Sequence, residues 1–264
     1  MTAIPKLRMI SVTKDYPGPK ATPVRALVDV DLHVEAGELV SLVGASGCGK
    51  STLLAIAAGL VEPTDGAVLV DGRHVTGPGP DRGLVFQGYS LYPWRTVAEN
   101  VAFGLELRGV AKADIRSRVA EYLRVMGLSG FAGSLPRQLS GGMQQRVAIA
   151  RALATEPSVL LFDEPFGALD SQTRASMRDF VVQVQADTGA TILMVTHDVE
   201  EAVYLSSRVY VLSSRPGRVA AELEVPFGPG RDRSLLRDKT FRQLCWSIDD
   251  LLAGGPVRTI EVAG

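Results

Sequence analysis

One nine-residue stretch constrains the fold more than any other part of the sequence. It is Gly44-Ala45-Ser46-Gly47-Cys48-Gly49-Lys50-Ser51-Thr52, which fits the pattern G-x-x-x-x-G-K-[ST] and lies between an apolar strand, Glu38–Val43, and an apolar helix that starts near Lys50. Glycines let successive backbone N–H groups turn toward one anion, and the N-terminus of the following helix adds positive potential. The stretch therefore predicts a phosphate-binding loop in which Lys50 meets the outer phosphates and Ser51 ligates Mg²⁺. Cys48 is interpreted as a small loop residue and not as a redox centre.

The apolar runs of the sequence predict a parallel β-sheet. Val40–Val43, Val159–Phe162 and Ile192–Val195 are short, continuous and rich in β-branched or aromatic residues. Such runs are typical of strands that are buried on both faces by helices. Each run ends in glycine or polar residues, and ligands bind at the carboxyl ends of strands in an open parallel sheet. The fold class is therefore α/β.

Two other parts of the chain have different patterns. Leu7–Val12 and Val28–Val34 alternate in hydrophobicity, with the Pro/Gly loop Pro17–Pro23 between them, and this predicts a small antiparallel sheet. From about Val97 to Leu153 the apolar spacing becomes helical, most clearly over Ile115–Met126. A helical block is therefore inserted within the parallel-sheet core.

The end of the chain is less regular. After about Arg215 it is interrupted by proline and glycine, and a further helix is predicted over Ser234–Leu252.

A pair of carboxylates follows the second buried run. Asp163 ends the strand, at the edge where a phosphate loop requires a metal ion, and we interpret it as a Mg²⁺ partner. Glu164, one residue further, is placed to polarise an attacking water and take its proton. The alternative is an acidic pair at a helix N-terminus, where the helix dipole favours negative charge.

A second glycine loop lies inside the helical block. Leu139–Arg146 reads LSGGMQQR and opens a helix that runs to about Ala154, with Ser140 as N-cap. Gly141 and Gly142 leave backbone N–H groups open to an anion. A second cradle for an anion makes sense if it closes over a nucleotide that is held by another copy of the chain.

Composition excludes several classes of protein. The 264 residues include 28 Lys and Arg against 29 Asp and Glu, so a protein that coats nucleic acid is not expected. Cys48 and Cys245 are the two cysteines, which is too few for a disulfide scaffold. The longest apolar stretch, Leu53–Val61, is about half of the ~20 residues that cross a bilayer. We expect an intracellular protein without a signal peptide or a membrane span.

Together with the phosphate loop and the acidic pair, LSGGMQQR makes the chain resemble the ATP-binding subunits of ABC transporters. Other landmarks of that family appear in order over residues 6 to 215. Tyr16 matches the aromatic residue that stacks on adenine, and Gln87 matches the glutamine that senses Mg²⁺ and the attacking water. Phe166–Asp170 matches a loop at the dimer contact, and His197 matches the histidine that contacts the terminal phosphate. Taken singly, Tyr16 is equally explained as a surface aromatic, and His197 is more simply a histidine that a neighbour satisfies.

The resemblance implies a full set of site residues for ATP and Mg²⁺. The catalytic residues are Lys50, Gln87, Glu164 and His197. The metal ligands are Ser51, Gln87 and Asp163. The nucleotide contacts are Tyr16, Gly44, Ala45, Ser46, Gly47, Cys48, Gly49, Lys50, Ser51, Thr52, Ser140, Gly141, Gly142 and Asp170.

The resemblance also implies an architecture. An ATPase domain would span residues 1–215, with a RecA-like P-loop NTPase core and the antiparallel β subdomain in 1–91 and 156–215. The helical subdomain would be 92–155, and 216–264 would be a C-terminal extension. Two copies would form a head-to-tail homodimer that sandwiches ATP.

The segment after Gln87 indicates which kind of ABC protein this is. Pro93-Trp94-Arg95-Thr96-Val97 is similar to a run in the nitrate, sulfonate and taurine import group. We expect an ATPase that drives import of a small solute of this kind from the cytoplasmic face of the cell membrane. Its partners would be separate permease subunits that dock near Gln87–Trp94 and, indirectly, an extracytoplasmic binding protein. Two alternatives stay open: Trp94 fills the core of the helical block, and the chain is a soluble or lipid-traffic ABC ATPase.

Overall fold

The computed structural model describes residues 4–18, 22–228 and 230–255. The strands are β1 (Leu7–Tyr16), β2 (Val24–Val34), β3 (Leu39–Gly44), β4 (Asp65–Val70), β5 (Arg73–His74), β6 (Arg82–Val85), β7 (Val159–Asp163), β8 (Ile192–Thr196), β9 (Arg208–Leu212) and β10 (Val219–Glu224). The helices are α1 (Lys50–Ala57), α2 (Val97–Leu107), α3 (Lys112–Val125), α4 (Gly141–Leu153), α5 (Ser171–Thr188), α6 (Val199–Leu205) and α7 (Lys239–Leu252).

The larger sheet is the predicted parallel one. Its order is β10-β9-β3-β8-β7-β6, and every pair is parallel except the edge pair β10–β9. All six residues of β3 are buried, as expected for a strand with helices on both faces. The three predicted strands are confirmed, and they carry the loops that follow them to one edge of the sheet. This mixed α/β architecture confirms the predicted fold class.

The smaller sheet has the order β2-β1-β4-β5 and is antiparallel. Its first two strands are longer than the alternation of apolar residues predicts. Ser11 (φ 46°) and Asp29 (φ 48°) sit at irregularities in the β1–β2 register, and these bulges reset the alternation. Side chains across the hairpin satisfy the bulged amides, since Asp31 accepts from Ser11 N (3.1 Å) and Thr13 Oγ1 accepts from Asp29 N (3.1 Å). Residues 19–21 of the predicted Pro17–Pro23 loop lie outside the described residues.

The helical block consists of α2, α3 and α4. Helix α2 packs against both of the others, and buried side chains such as Val101, Leu123 and Val147 join one core with the larger sheet. Helix α3 covers the predicted helical run with a start three residues earlier. Within residues 4–18, 22–228 and 230–255, no helix has the length and apolar character needed to span a membrane.

The tail of the chain differs from the prediction in two places. Strand β10 continues the larger sheet where only a broken segment was expected, because Val219–Glu224 alternates half-buried and exposed residues along an edge. The predicted helix from Ser234 begins instead at Lys239. A short 3₁₀ turn occupies Arg233–Arg237, and Asp238 then caps the helix by accepting from Phe241 N (3.0 Å). The predicted extension from 216 to 264 is described only to residue 255.

A buried asparagine shapes the loop before α2. Asn100 is fully buried, and its Oδ1 accepts from Tyr92 N (2.8 Å). Its Nδ2 donates to the carbonyl oxygens of Tyr92 (3.2 Å), Arg95 (3.0 Å) and Thr96 (3.0 Å). One side chain therefore folds the whole Tyr92–Thr96 turn back on the first turn of the helix. Trp94, at the tip of this turn, is 73% exposed.

We predict that Asn100→Ala lowers the free energy of unfolding by about 2–4 kcal/mol, because several buried backbone groups lose their partner. Chemical denaturation monitored by circular dichroism measures this change. Leu107→Ala is the matched control, since Leu107 lies on the same helix with its side chain 73% exposed. Equal denaturation midpoints for Asn100→Ala and the control would contradict this role.

Candidate functional site

The glycine loop Gly44–Gly49 joins the middle of the larger sheet to helix α1. Gly49, at the N-cap of the helix, has φ +113°, and a Cβ there would lie 2.6 Å from Cδ2 of Leu27. Only glycine fits both the backbone conformation and the space. Lys50, the first helical residue, is buried, and its Nζ donates to the carbonyl oxygens of Gly44 (2.6 Å) and Ala45 (3.0 Å). The ammonium is therefore held at the loop.

A cavity of about 270 Å³ opens beside this loop. Its lining residues are Tyr16, Ala26, Ser46, Gly47, Gly49, Lys50, Ser51, Thr52, Glu164 and Arg215. Tyr16 is half-buried, with Lys14 Nζ 5.2 Å from the ring centroid. The predicted aromatic residue thus lies at the same cavity as the predicted phosphate loop. Cys48 is buried and its thiol packs toward Gly44, so it offers only backbone to a ligand.

Asp163 and Ser51 meet at the base of the site. The Ser51 hydroxyl donates to Oδ1 of Asp163 at 3.2 Å. Burial raises the pKa of the Asp163 carboxyl; the hydrogen bond from Ser51 opposes this shift, and the negative charge of Glu164 adds to it. Strand β7 therefore places the Asp163 carboxylate next to the Ser51 hydroxyl, and these are two of the predicted metal ligands.

Glu164 has a strained backbone. Its φ is 45°, a left-handed value that is uncommon outside glycine, and its N–H donates to the Val195 carbonyl of the neighbouring strand (2.9 Å). The turn directs its side chain into the cavity, whereas that of Asp163 bonds to Ser51. The alternative of a simple helix N-terminal pair does not describe this geometry, because the next α-helix begins only at Ser171.

His197 lies directly against Glu164. Its Nδ1 is 3.0 Å from Oε2 of the glutamate, and its side chain is 62% exposed. An ionised carboxylate can only accept a hydrogen bond, so a hydrogen on Nδ1 suits this contact. Among the described residues Nε2 makes no hydrogen bond. The histidine is thus satisfied by a neighbour, and that neighbour is the predicted catalytic carboxylate.

A buried network lies beneath His197. The Thr196 hydroxyl donates to Oε2 of Glu201 (3.0 Å), and burial raises the pKa of Glu201 to about 7, with a further contribution from Asp198. Arg174 approaches Glu201 at 3.8 Å and donates to the Leu169 carbonyl at 3.1 Å. Arg174 therefore joins the Phe166–Asp170 loop to Glu201 on α6, and Glu201 in turn bonds to Thr196, the residue before the histidine.

The remaining predicted residues lie away from the cavity lining. The side chain of Gln87 is exposed and packs at Gly167, where a Cβ would lie 2.8 Å from its Nε2. Asp170 caps helix α5 by accepting from Gln172 N (3.1 Å) and Thr173 N (3.0 Å).

The second glycine loop also lies away from that lining. Ser140 caps α4 as predicted, with its Oγ accepting from Met143 N at 3.3 Å. Gly141 is exposed next to Leu169 and the Tyr89 hydroxyl, whereas Gly142 faces Thr173. Within the described part of the chain, Ser140, Gly141 and Gly142 do not line the cavity that holds Lys50 and Tyr16.

The sequence analysis missed two arginines. Arg215 lines the cavity from the turn between β9 and β10. Arg151, near the end of α4, donates to the carbonyl oxygens of Ser90 (2.7 Å) and Tyr89 (3.1 Å), which have φ values of 49° and 57°. These contacts join residues that are far apart along the chain, and neither arginine lies in a motif that marks it.

A glycine loop that carries a buried lysine at the edge of a parallel sheet, with a carboxylate at the end of β7 two strands away, defines a P-loop nucleotide-binding protein. The family model for ABC transporters matches residues 27–167. The chain belongs to the ABC transporter family.

Two curated relatives are similar over most of their length. The nitrate import ATP-binding protein NrtD of Synechocystis sp. is 51% identical over 236 residues, which cover 89% of this chain and 88% of that protein. The taurine import ATP-binding protein TauB of Pelagibacter ubique is 48% identical over 209 residues, 79% of each chain. The predicted resemblance to the nitrate and taurine group is confirmed.

A solved structure has the same fold. It is the dimeric, post-hydrolysis state of the ATP-binding cassette MJ0796 bound to ADP and Pi, with a TM-score of 0.72 and 35% identity. The match covers 84% of this chain and all of that one.

We predict that Lys50→Ala weakens ATP binding at least about 10-fold, because hydrogen bonds to charged groups contribute roughly 1.5–3 kcal/mol. Titration with a fluorescent ATP analogue measures the dissociation constant. Lys6→Ala is the control, since Lys6 pairs with Asp71 on the surface. Unchanged affinity in Lys50→Ala would contradict the assignment of the phosphate loop.

Proposed function

We propose that the chain is the ATP-hydrolysing subunit of an ABC import system, which couples ATP binding and hydrolysis in a head-to-tail dimer to uptake of a small solute. The similarity to the nitrate import and taurine import ATP-binding proteins supports a small anionic or zwitterionic solute. The division into an ATPase domain (1–215, with helical subdomain 92–155) and an extension (216–264) is part of this proposal.

The observation that supports the proposal is that one chain holds two separate glycine loops at helix N-termini, which we interpret as anion cradles. The first, at Lys50, has an open cavity beside it, and the second, at Ser140–Gly142, does not line that cavity. A nucleotide in the first cradle would keep one side of its phosphates uncovered. A second copy in head-to-tail orientation would cover that side with Ser140–Gly142, and the first copy would do the same in return.

Each of the site residues has a role in hydrolysis under this proposal. Lys50 and the loop amides hold the phosphates, and Tyr16 stacks on the base. Glu164 takes a proton from the attacking water, and His197, oriented by its bond to Glu164, presents Nε2 to the terminal phosphate. Positive groups that face the phosphates stabilise the charge that develops in the transition state.

Ser51 and Asp163 fit a Mg²⁺ ion. Both supply the hard oxygen atoms that Mg²⁺ prefers, and they lie 3.2 Å apart at the cavity. No cluster of three or more His, Cys, Asp or Glu within the described residues has metal-site geometry. That suits an ion which takes its remaining ligands from phosphate and water. When bound, the ion would neutralise phosphate charge. Gln87 is the third predicted ligand, and its exposed side chain packs at Gly167.

We predict that Glu164→Gln traps a dimer in the presence of ATP and Mg²⁺, because the amide keeps the shape of the side chain but cannot take a proton. Size-exclusion chromatography should show a shift from monomer to dimer with ATP and none with ADP. Steady-state phosphate release should fall at least about 100-fold, the lower range for loss of a general base.

Asp179→Asn is the matched control for this experiment. Asp179 bonds to Tyr204 and Arg233 away from the cavity, so phosphate release should stay close to the wild-type rate. A Glu164→Gln protein that stays monomeric with ATP would count against the sandwich dimer.

The proposal places the permease contact on the surface around Gln87–Trp94. Trp94 is 73% and Phe86 40% exposed, which overturns the alternative that Trp94 fills the core of the helical block. Asn100 folds the turn that presents Trp94, and Arg151 holds Tyr89 and Ser90. An exposed aromatic patch on a fixed loop is suited to receive a helix of a membrane protein. The chain would then work at the cytoplasmic face of the membrane, with an extracytoplasmic binding protein selecting the solute.

We predict that Trp94→Ala reduces copurification with the permease subunits encoded beside this chain at least about 10-fold, since a buried aromatic anchor is often worth 2 kcal/mol or more. The ATP affinity of the isolated chain should be unchanged, because Trp94 does not line the cavity. Trp246→Ala is the control, an exposed tryptophan on α7. Copurification with no membrane protein at all would favour the soluble alternative.

A further inference from the structure

The turn between β9 and β10 is tightly built. Ser213 N donates to the Arg218 carbonyl (2.9 Å), and Arg218 N donates back to Ser213 Oγ (3.1 Å). The same hydroxyl donates to the Pro216 carbonyl at 3.2 Å. The residues between Ser213 and Arg218 are therefore held in one defined conformation.

This turn is packed directly against the phosphate loop. Gly217 N donates to the Ala26 carbonyl (2.9 Å), and Val28 N donates to the Gly217 carbonyl (3.0 Å). A Cβ at Gly217 would lie 2.2 Å from the carbonyl oxygen of Cys48. No other residue type allows so close an approach, so the turn has a fixed position relative to the residues that cradle the anion.

Arg215, two residues before Gly217, lies at the cavity. It is exposed, it lines the cavity together with Tyr16, Ser46 and Gly47, and within the described residues it has no ion pair and no side-chain hydrogen bond. Lys50 is the other lining cation, and its ammonium is bonded to two loop carbonyls. An unpaired guanidinium on a turn that is fixed beside a phosphate loop is suited to an anionic ligand, because it offers several donors in a planar fork.

We propose that Arg215 is a nucleotide-binding residue whose guanidinium pairs with the phosphate chain. The inference rests on the proposed function, since it takes the cavity to be the ATP site, and it adds a binding residue outside the motifs of the sequence. Arg215 acts in the chain that holds the phosphate loop. It therefore contributes to affinity before any second copy closes over the nucleotide.

The test compares Arg215→Gln, Arg215→Lys and Arg218→Gln with the wild-type chain. Arg218 is the matched control, because it is an exposed arginine of the same turn that does not line the cavity. Binding of ATP without Mg²⁺ is measured by calorimetry, and inorganic tripolyphosphate is measured as a competitor of a fluorescent ATP analogue. Thermal melting of each variant shows that it is folded.

We expect Arg215→Gln to weaken both ATP and tripolyphosphate binding about 5-fold, as suits one charge-assisted contact at a partly open site. Arg215→Lys should recover most of the loss because it keeps the charge, and Arg218→Gln should match the wild type. The effect should shrink at high salt, since the contact is electrostatic.

Wild-type affinity in Arg215→Gln for both ligands would overturn the proposal. Weaker ATP binding with unchanged tripolyphosphate binding would also overturn it, because the guanidinium would then act on the base beside Tyr16. Neither result touches the proposed function. That function fails if the wild-type chain itself binds no ATP, or binds it and never dimerises.

Discussion

The register of the parallel sheet is the constraint on which the candidate site depends. Val43 pairs with Thr196 and Asp163 pairs with Val195, so β3, β7 and β8 end at the same level. The phosphate loop, the acidic pair and His197 follow these strands and must therefore meet at one edge. The 3.0 Å contact between His197 and Glu164 joins residues from two of these strand ends. The backbone hydrogen bonds of the sheet therefore bring these side chains together.

Strained backbone and a buried carboxyl group both occur where the chemistry is proposed. Glu164 and the Tyr89–Ser90 pair have left-handed backbones without glycine, and each is held by hydrogen bonds from a different part of the chain. Glu201, beneath His197, has a pKa raised to about 7 by burial. Such features lower stability locally and persist because the surrounding fold fixes them.

The sequence predicts the centre of the molecule better than its edges. Continuous apolar runs at β3, β7 and β8 carry a strong signal because both faces of these strands are buried. The alternation of apolar residues predicts only part of β1 and β2, since bulges at Ser11 and Asp29 reverse the alternation that marks a half-exposed strand. Motif residues such as Lys50, Ser51 and Asp163 are predictable because their chemistry requires fixed spacing. Arg215 and Asn100 act through contacts with distant or irregular backbone, which leave no local pattern.

Arg151 connects two separate parts of the chain. It lies on the helix that begins after Ser140, and its guanidinium donates to two carbonyl oxygens of the loop that follows Gln87. Burial lowers the pKa of the Arg151 guanidinium. Hydrogen bonds in such a poorly hydrated place are not easily replaced by bonds to water. The loop that follows Gln87 and helix α4 are therefore joined directly, and a displacement of either would be transmitted to the other through these two hydrogen bonds.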